Sequence, residues 1–239
     1  MLPFVLEDIL FLDIETAPQQ EHFEDLSEKW QELWSKKAEL LNKYNPKDDF
    51  NTLYERAGIY AEFGKIICIS CGFLTRSGVE RQLRITSFYG NDEKKILEEF
   101  SSLLNKSFDE AFHRLCAHNG KEFDFPYLCR RMLVHRIPLP KILNIQGKKP
   151  WEVQHIDTLE FWKFGDYKNF TSLDTLATLF DIPSPKSDIS GSDIYNVYYK
   201  QNDVERIKNY CQQDVRTLVQ VYFRFVEENW LKDHQIIYK

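Results

Sequence analysis

Residues 8–14 (Asp-Ile-Leu-Phe-Leu-Asp-Ile) are a short apolar run that ends in charge, the pattern of a strand buried on both faces. Pro18 and the polar residues after it close this element. Over 21–45 the pattern changes. Phe23, Leu26, Trp30, Leu33, Trp34, Ala38 and Leu41 recur every three or four positions among charged residues, which predicts an amphipathic helix. Asn45-Pro46 breaks it, and a second short helix is expected at 51–61. Residues 19–61 thus read as a helical insertion after the first strand. Its aromatic stripe is expected to pack on its own domain, with docking of a protein partner as the alternative use.

Residues 65–75 and 80–88 read as two strands joined around Ser77-Gly78, a hairpin signal. Asn91-Asp92 then caps a helix that reaches about Leu104. Another strand is expected at 113–118. A helix follows over 122–136, with Phe123, Tyr127, Leu128 and Met132 as its apolar positions and Pro126 in its first turn. Residues 137–155 form a loop rich in Pro and Lys, before a short strand at 155–157. Thr171 or Ser172 caps a helix over Leu173–Phe180, a Ser/Pro/Gly loop covers 184–191, and a long helix over about 203–229 finishes the chain. Early strands followed by strands alternating with helices predict an α/β fold, one domain over residues 1–239.

Composition narrows the classes. The chain has 239 residues, 43% hydrophobic and 28% charged, the balance of a soluble globular protein. Its longest apolar runs are too short to span a bilayer, and acids at 7, 8, 13 and 15 interrupt any leader, so no signal peptide is expected. Five cysteines, an odd and scattered set, make a poor disulfide framework and suit a reducing, cytoplasmic setting. Cys68 and Cys71 sit three apart in a strand-like run and so point to opposite faces, which favours core thiols over a zinc site. The net charge of −6 argues against an extended nucleic-acid surface; any polynucleotide contact should be local and helped by metal ions.

Three short motifs carry chemistry. Asp13-Ile-Glu15 lies at the end of the first strand, where residues i and i+2 face one side about 7 Å apart. Two carboxylates there repel unless cations neutralise them, and a hard divalent ion with oxygen ligands does so. A solvated strand terminus has the same pattern. Asn119-Gly-Lys-Glu-Phe-Asp124 stands where a strand gives way to a helix, and a carboxylate in a first helical turn is also favoured by the helix dipole. Its three fixed residues recur by chance in about 3% of chains of this length at average usage. Tyr210-Cys-Gln-Gln-Asp214 places a phenol and a carboxylate on one helix face.

In order and in context these motifs resemble the DEDD exonuclease superfamily, in its tyrosine-containing branch. The superfamily's motifs are Asp-x-Glu, Asn-x(2–3)-[Phe/Tyr]-Asp and Tyr-x(3)-Asp. The other branch puts histidine five residues before the last aspartate, where this chain has Asn209. The similarity is to the proofreading exonuclease domain of family B DNA polymerases and its free-standing bacterial relatives, and no polymerase domain is expected after Asp214.

The resemblance implies a ribonuclease H-like mixed sheet flanked by helices. It implies two Mg²⁺ or Mn²⁺ ions held by Asp13, Glu15, Asp124 and Asp214, with Asp13 bridging both. Glu15 and Asp214 would complete the ion on the nucleophile side, and Asp124 would hold the leaving-group side, partly through water. Tyr210 would orient the attacking water, and Asn119 and Phe123 would contact substrate. The implied activity is 3′→5′ hydrolysis of nucleic acid with a free 3′ end to nucleoside 5′-monophosphates. Single-stranded DNA is the favoured substrate; RNA, or a non-catalytic binding module on the same fold, are the alternatives. Among secondary candidates, Phe125 and His118 read as packed or hydrogen-bonded residues, Asp157 as a structural hydrogen-bond partner near the site, and Lys186 as a solvated loop lysine.

Overall fold

The apolar run at the start of the chain becomes strand β1 (Ile9–Pro18), an interior strand of the sheet. The computed structural model describes residues 5–44, 49–78, 80–166, 168, 170–183, 188–226 and 228–239. Helices α1 (Glu28–Tyr44) and α2 (Phe50–Glu55) follow, then the hairpin of β2 (Gly64–Ser77) and β3 (Glu80–Tyr89) and helix α3 (Glu93–Ser107). Strand β4 (Arg114–Ala117), helix α4 (Asp124–Val134), the two-residue strand β5 (Ile156–Asp157) and helices α5 (Thr158–Lys163) and α6 (Leu173–Leu179) come next. Helix α7 (Val204–Phe225) and strand β6 (Ile236–Tyr238) complete the order.

The described residues form a six-stranded mixed sheet in the order β5-β4-β1-β2-β3-β6. β1 runs antiparallel to β2 and parallel to β4, and β2 runs antiparallel to β3. Both faces are covered. Leu10, Leu12 and Ile14 join one buried cluster with Leu97 and Phe100 of α3 and Leu128 of α4. Ile9 and Phe11 join the other, with Val215, Leu218 and Tyr222 of α7. That period of two decides where the next residues go: Asp13 and Glu15 continue the face of Ile9 and Phe11.

Short polar side chains start the helices, as expected for Asp92 and Ser172. Asp92 accepts from the Lys95 amide at 3.1 Å, Ser172 from Thr175 at 3.1 Å and Asp203 from Arg206 at 3.0 Å. A buried ion pair ties the layers together. Arg131 of α4 donates to both oxygens of Glu93 at 2.8 and 2.6 Å, and the Ile66 amide of β2 donates to Glu93 at 2.8 Å. Cys68 and Cys71 belong to different core clusters and all five cysteines are free thiols.

The insertion is helical, but its first helix starts at Glu28; residues 23–25 make a tighter turn. Part of its stripe packs inward, with Trp34 fully buried against Leu26, Leu53, Tyr54 and Ala57, while Trp30 and Leu33 remain exposed. The expected break at Asn45-Pro46, and Lys186 with residues 184–187 of the Ser/Pro/Gly loop, lie outside the described residues. The last helix stops at Phe225 rather than near 229. Beyond it, Gln220 bonds both the amide and the carbonyl of Leu231, at 3.1 and 2.8 Å. This turns the chain back so that β6 pairs in parallel with β3. Among the described residues no helix is long and apolar enough to cross a membrane.

Candidate active site

Three elements converge on the carboxylates. Asp13 and Glu15 lie on β1, opposite Ser70 and Cys68 of β2. The register shifts between Glu15 and Thr16, an irregularity of the kind that re-aims side chains beside functional sites. Asp124 opens α4, beside Ile14 of β1, whose amide together with that of Asp124 itself favours the charged form of the carboxylate. Tyr210, Cys211 and Asp214 stand on the first half of α7, three and four residues apart on one face. The Tyr210 phenol lies close enough to the Asp214 carboxylate that each perturbs the other's ionisation.

Electrostatics show how crowded these acids are. Burial, then the charges of Asp214 and Asp124, push the Asp13 carboxyl well above the usual range. Burial and the neighbouring Asp13 and Asp214 do the same to Glu15. Asp124 is pushed up to about 7 by burial, helped by the charge of Asp157 and opposed by the Asp124 and Ile14 amides. Asp214 rises to about 6 by burial, opposed by the Tyr210 hydrogen bond and helped by the charge of Asp174. The Tyr210 phenol goes up as well, from burial and then the adjacent carboxylates.

Among the described residues no Lys, Arg or His forms an ion pair with any of these four acids. Glu15 and Asp124 are buried and Asp13 and Asp214 half-buried; carboxylates that repel one another in this way are a set of hard oxygen donors that fits divalent ions. Donor atoms of Asp13, Glu15 and Cys211 lie within 4.8 Å of one another.

The residues singled out in sequence sort clearly. Asn119 sits in the left-handed region at φ 63°, a conformation that asparagine tolerates better than most residues. Its carbonyl accepts from the Phe123 amide at 3.0 Å. Phe123 is half-buried and lines a cleft of about 510 Å³ with Glu15. Phe125 is fully buried core. His118 is held between Thr158 and the Thr171 carbonyl, at 2.9 and 2.8 Å. Asp157 is a buried structural acceptor: it takes the amides of Asn119 and Lys121 at 2.9 and 3.1 Å and that of Leu159 at 2.9 Å. It thereby fixes the loop ahead of Asp124.

Two neighbours escape the motif pattern. The Cys211 thiol donates to Asp13, with Sγ 3.3 Å from Oδ2; its place next to Tyr210 and three before Asp214 puts it on their face. Asp174, in the first turn of α6, contributes a further negative charge near Asp214. No local motif marks it.

Comparison with known proteins follows the same line. A family model described as "Predicted 3'-5' exonuclease related to the exonuclease domain of PolB" matches residues 59–233. That stretch contains Asn119, Phe123, Asp124, Tyr210 and Asp214 and begins after Asp13 and Glu15. Among solved structures the chain is similar to the family B DNA polymerase from the hyperthermophilic archaeon Pyrobaculum calidifontis, with a TM-score of 0.55 and 16% identity. The match covers 92% of this chain and 24% of the polymerase chain, and at this identity it speaks to the fold, a ribonuclease H-like mixed sheet. No curated protein matches the sequence.

Proposed function

Because the chain belongs to the family of predicted 3′–5′ exonucleases related to the exonuclease domain of PolB, we propose that residues 1–239 act as one metal-dependent unit. It removes nucleotides from the 3′ end of single-stranded DNA and releases nucleoside 5′-monophosphates. The observation that carries this reading is the convergence of Asp13, Glu15, Asp124 and Asp214, which among the described residues have no side-chain cation paired with them and whose carboxyls are all raised by burial. DNA is favoured because the family is related to a DNA polymerase's exonuclease domain.

Asp13, Glu15, Asp124 and Asp214 would hold two Mg²⁺ or Mn²⁺ ions. When bound, such a pair stabilises both the attacking and the leaving oxygen of an in-line displacement. The chain's own residues do the rest. Tyr210 stands beside Asp214, where its hydroxyl would orient the attacking water. The phenol's raised pKa makes it a poor base at neutral pH, which leaves orientation as its role. Water attacks the terminal phosphorus, the bond to the 3′ oxygen of the next nucleotide breaks, and that oxygen leaves as the new 3′ hydroxyl. Asp157 keeps the 119–124 loop in place through its backbone hydrogen bonds, and Phe123 faces the cleft where the terminal nucleotide would lie.

The test is digestion of matched DNA and RNA oligonucleotides with Mg²⁺ or Mn²⁺. A 5′-labelled DNA strand should shorten in a ladder. Faster loss of the RNA would move the substrate assignment to RNA, and release of mononucleotides from the 5′ end would refute the polarity.

A further inference from the structure

The cleft beside Glu15 is not walled by the sheet alone. Its lining includes Thr52, Glu55 and Ile59 from the insertion, Phe123 from the entry to α4, and Asn196 from a π-helical turn at Asn196–Lys200. Both walls are tied to the segment that leaves β1. Tyr54 donates to the Gln20 carbonyl at 3.1 Å, and Tyr127 donates to the Gly58 carbonyl at 2.7 Å. Gly58 lies so close to β1 that an added Cβ would sit 2.9 Å from the Ala17 carbonyl carbon. On the other side Tyr195 donates to the Glu21 carbonyl at 2.9 Å and Tyr199 to that of Pro18 at 2.6 Å. The walls are therefore fixed relative to Asp13 and Glu15.

Their chemistry is mixed. Ile59 is 49% exposed although it is apolar, and Phe123 lines the same cleft. Thr52 and Asn196 offer polar groups, and the adjacent Glu55 and Arg56 bring charges of opposite sign. A volume of about 510 Å³ falls in the range that holds one small ligand.

We propose that residues 50–59 of the insertion form one wall of the subsite for an unpaired 3′-terminal nucleotide. In that wall Ile59 is a specificity-determining residue, and the carboxylate of Glu55 limits affinity for the polyanion. The inference rests on the exonuclease reading for the identity of the ligand. It gives the insertion a role at the site instead of at a protein partner.

The experiment uses the full chain and the variants Ile59→Trp and Glu55→Lys, with two readouts in Mg²⁺. One is KM for a 5′-labelled single strand; the other is calorimetric Kd for thymidine 5′-monophosphate. Both positions are exposed, so thermal unfolding should match the wild type, which checks the fold. Ile59→Trp should raise KM and Kd at least about tenfold by filling the cleft, a change of about 1.4 kcal/mol. Glu55→Lys should lower both several-fold and steepen their salt dependence. Unchanged KM and Kd in both variants would overturn the inference, as would wild-type protein that does not bind the mononucleotide. Wild-type protein that binds it, loses it in Ile59→Trp and yet degrades no strand would sink the exonuclease reading and leave the wall assignment standing.

Discussion

The crowding of the acids has a cost in the metal-free protein that a single substitution should reveal. Burial raises the Asp214 carboxyl to about 6 from an ordinary value of 3.8. A carboxyl whose folded pKa lies above its unfolded one favours folding while protonated. Its contribution is full below about pH 4 and is lost as pH rises through about 6. A difference of roughly two units corresponds to a penalty on the order of 3 kcal/mol at pH 8. Asp214→Asn removes that charge, keeps an oxygen beside Tyr210, and relieves Asp13 as well. In EDTA at about pH 8 it should therefore unfold roughly 5–10 °C above the wild type. At about pH 4 the two should coincide. The assay is calorimetric unfolding across that range, repeated with Mg²⁺. Metal should stabilise the wild type strongly at the higher pH and Asp214→Asn much less, because ions bind the folded site through its charges. A wild type as stable as Asp214→Asn at pH 8 without metal would refute the picture of mutually repelling, desolvated acids.

Other expectations follow from the same contacts. Tyr210→Phe should lower turnover at least about tenfold while Mg²⁺-induced stabilisation stays close to wild type; a large loss of metal affinity would contradict its orienting role. Arg131→Met strands the buried Glu93 carboxylate and should cost about 3–5 kcal/mol in urea unfolding, and a cost near zero would show that the pair is not desolvated. Burial alone would raise Glu93, yet its hydrogen bonds and ion pair with Arg131 hold it below the usual range. That stabilisation should disappear as pH falls through the folded value, the opposite sign to Asp214. Asp157→Ala leaves at least three backbone amides without their acceptor and should cost on the order of 3 kcal/mol; unchanged unfolding would remove its structural role.

The sequence made some features legible and hid others for physical reasons. β1 was readable as an apolar run ending in charge, the hairpin from its turn signal at Ser77-Gly78, and α4 from the spacing of its apolar positions. Asp92 and Ser172 marked helix starts by chemistry that is local. α5 and β6 were not readable. α5 is six residues long and owes its cap to Asp157, which the sequence marks as a structural hydrogen-bond partner but not as a helix cap. β6 is three residues whose strand character comes from pairing with the edge of β3, a contact some 150 positions away that no window detects.

The site divides the same way. Asp13 and Glu15 are two apart on a strand, and Tyr210 and Asp214 four apart on a helix, so each pair follows from local geometry. Asp124 reaches Asp13 only through the parallel placement of β4 beside β1, and Asp174 reaches Asp214 only through the packing of α6 on α7. Nor could the aromatic spacing of the insertion say which way it turned. Trp34 faces inward to its own cluster, while Ile59 is left beside Glu15.

The most direct test of the central claim compares wild type and Asp13→Ala on a 5′-labelled single-stranded DNA with Mg²⁺ or Mn²⁺. Wild type should produce a descending ladder and nucleoside 5′-monophosphates, abolished by EDTA. Asp13→Ala should be folded and inactive. Full activity in purified Asp13→Ala, or degradation by wild type that persists in EDTA, would contradict the carboxylate site.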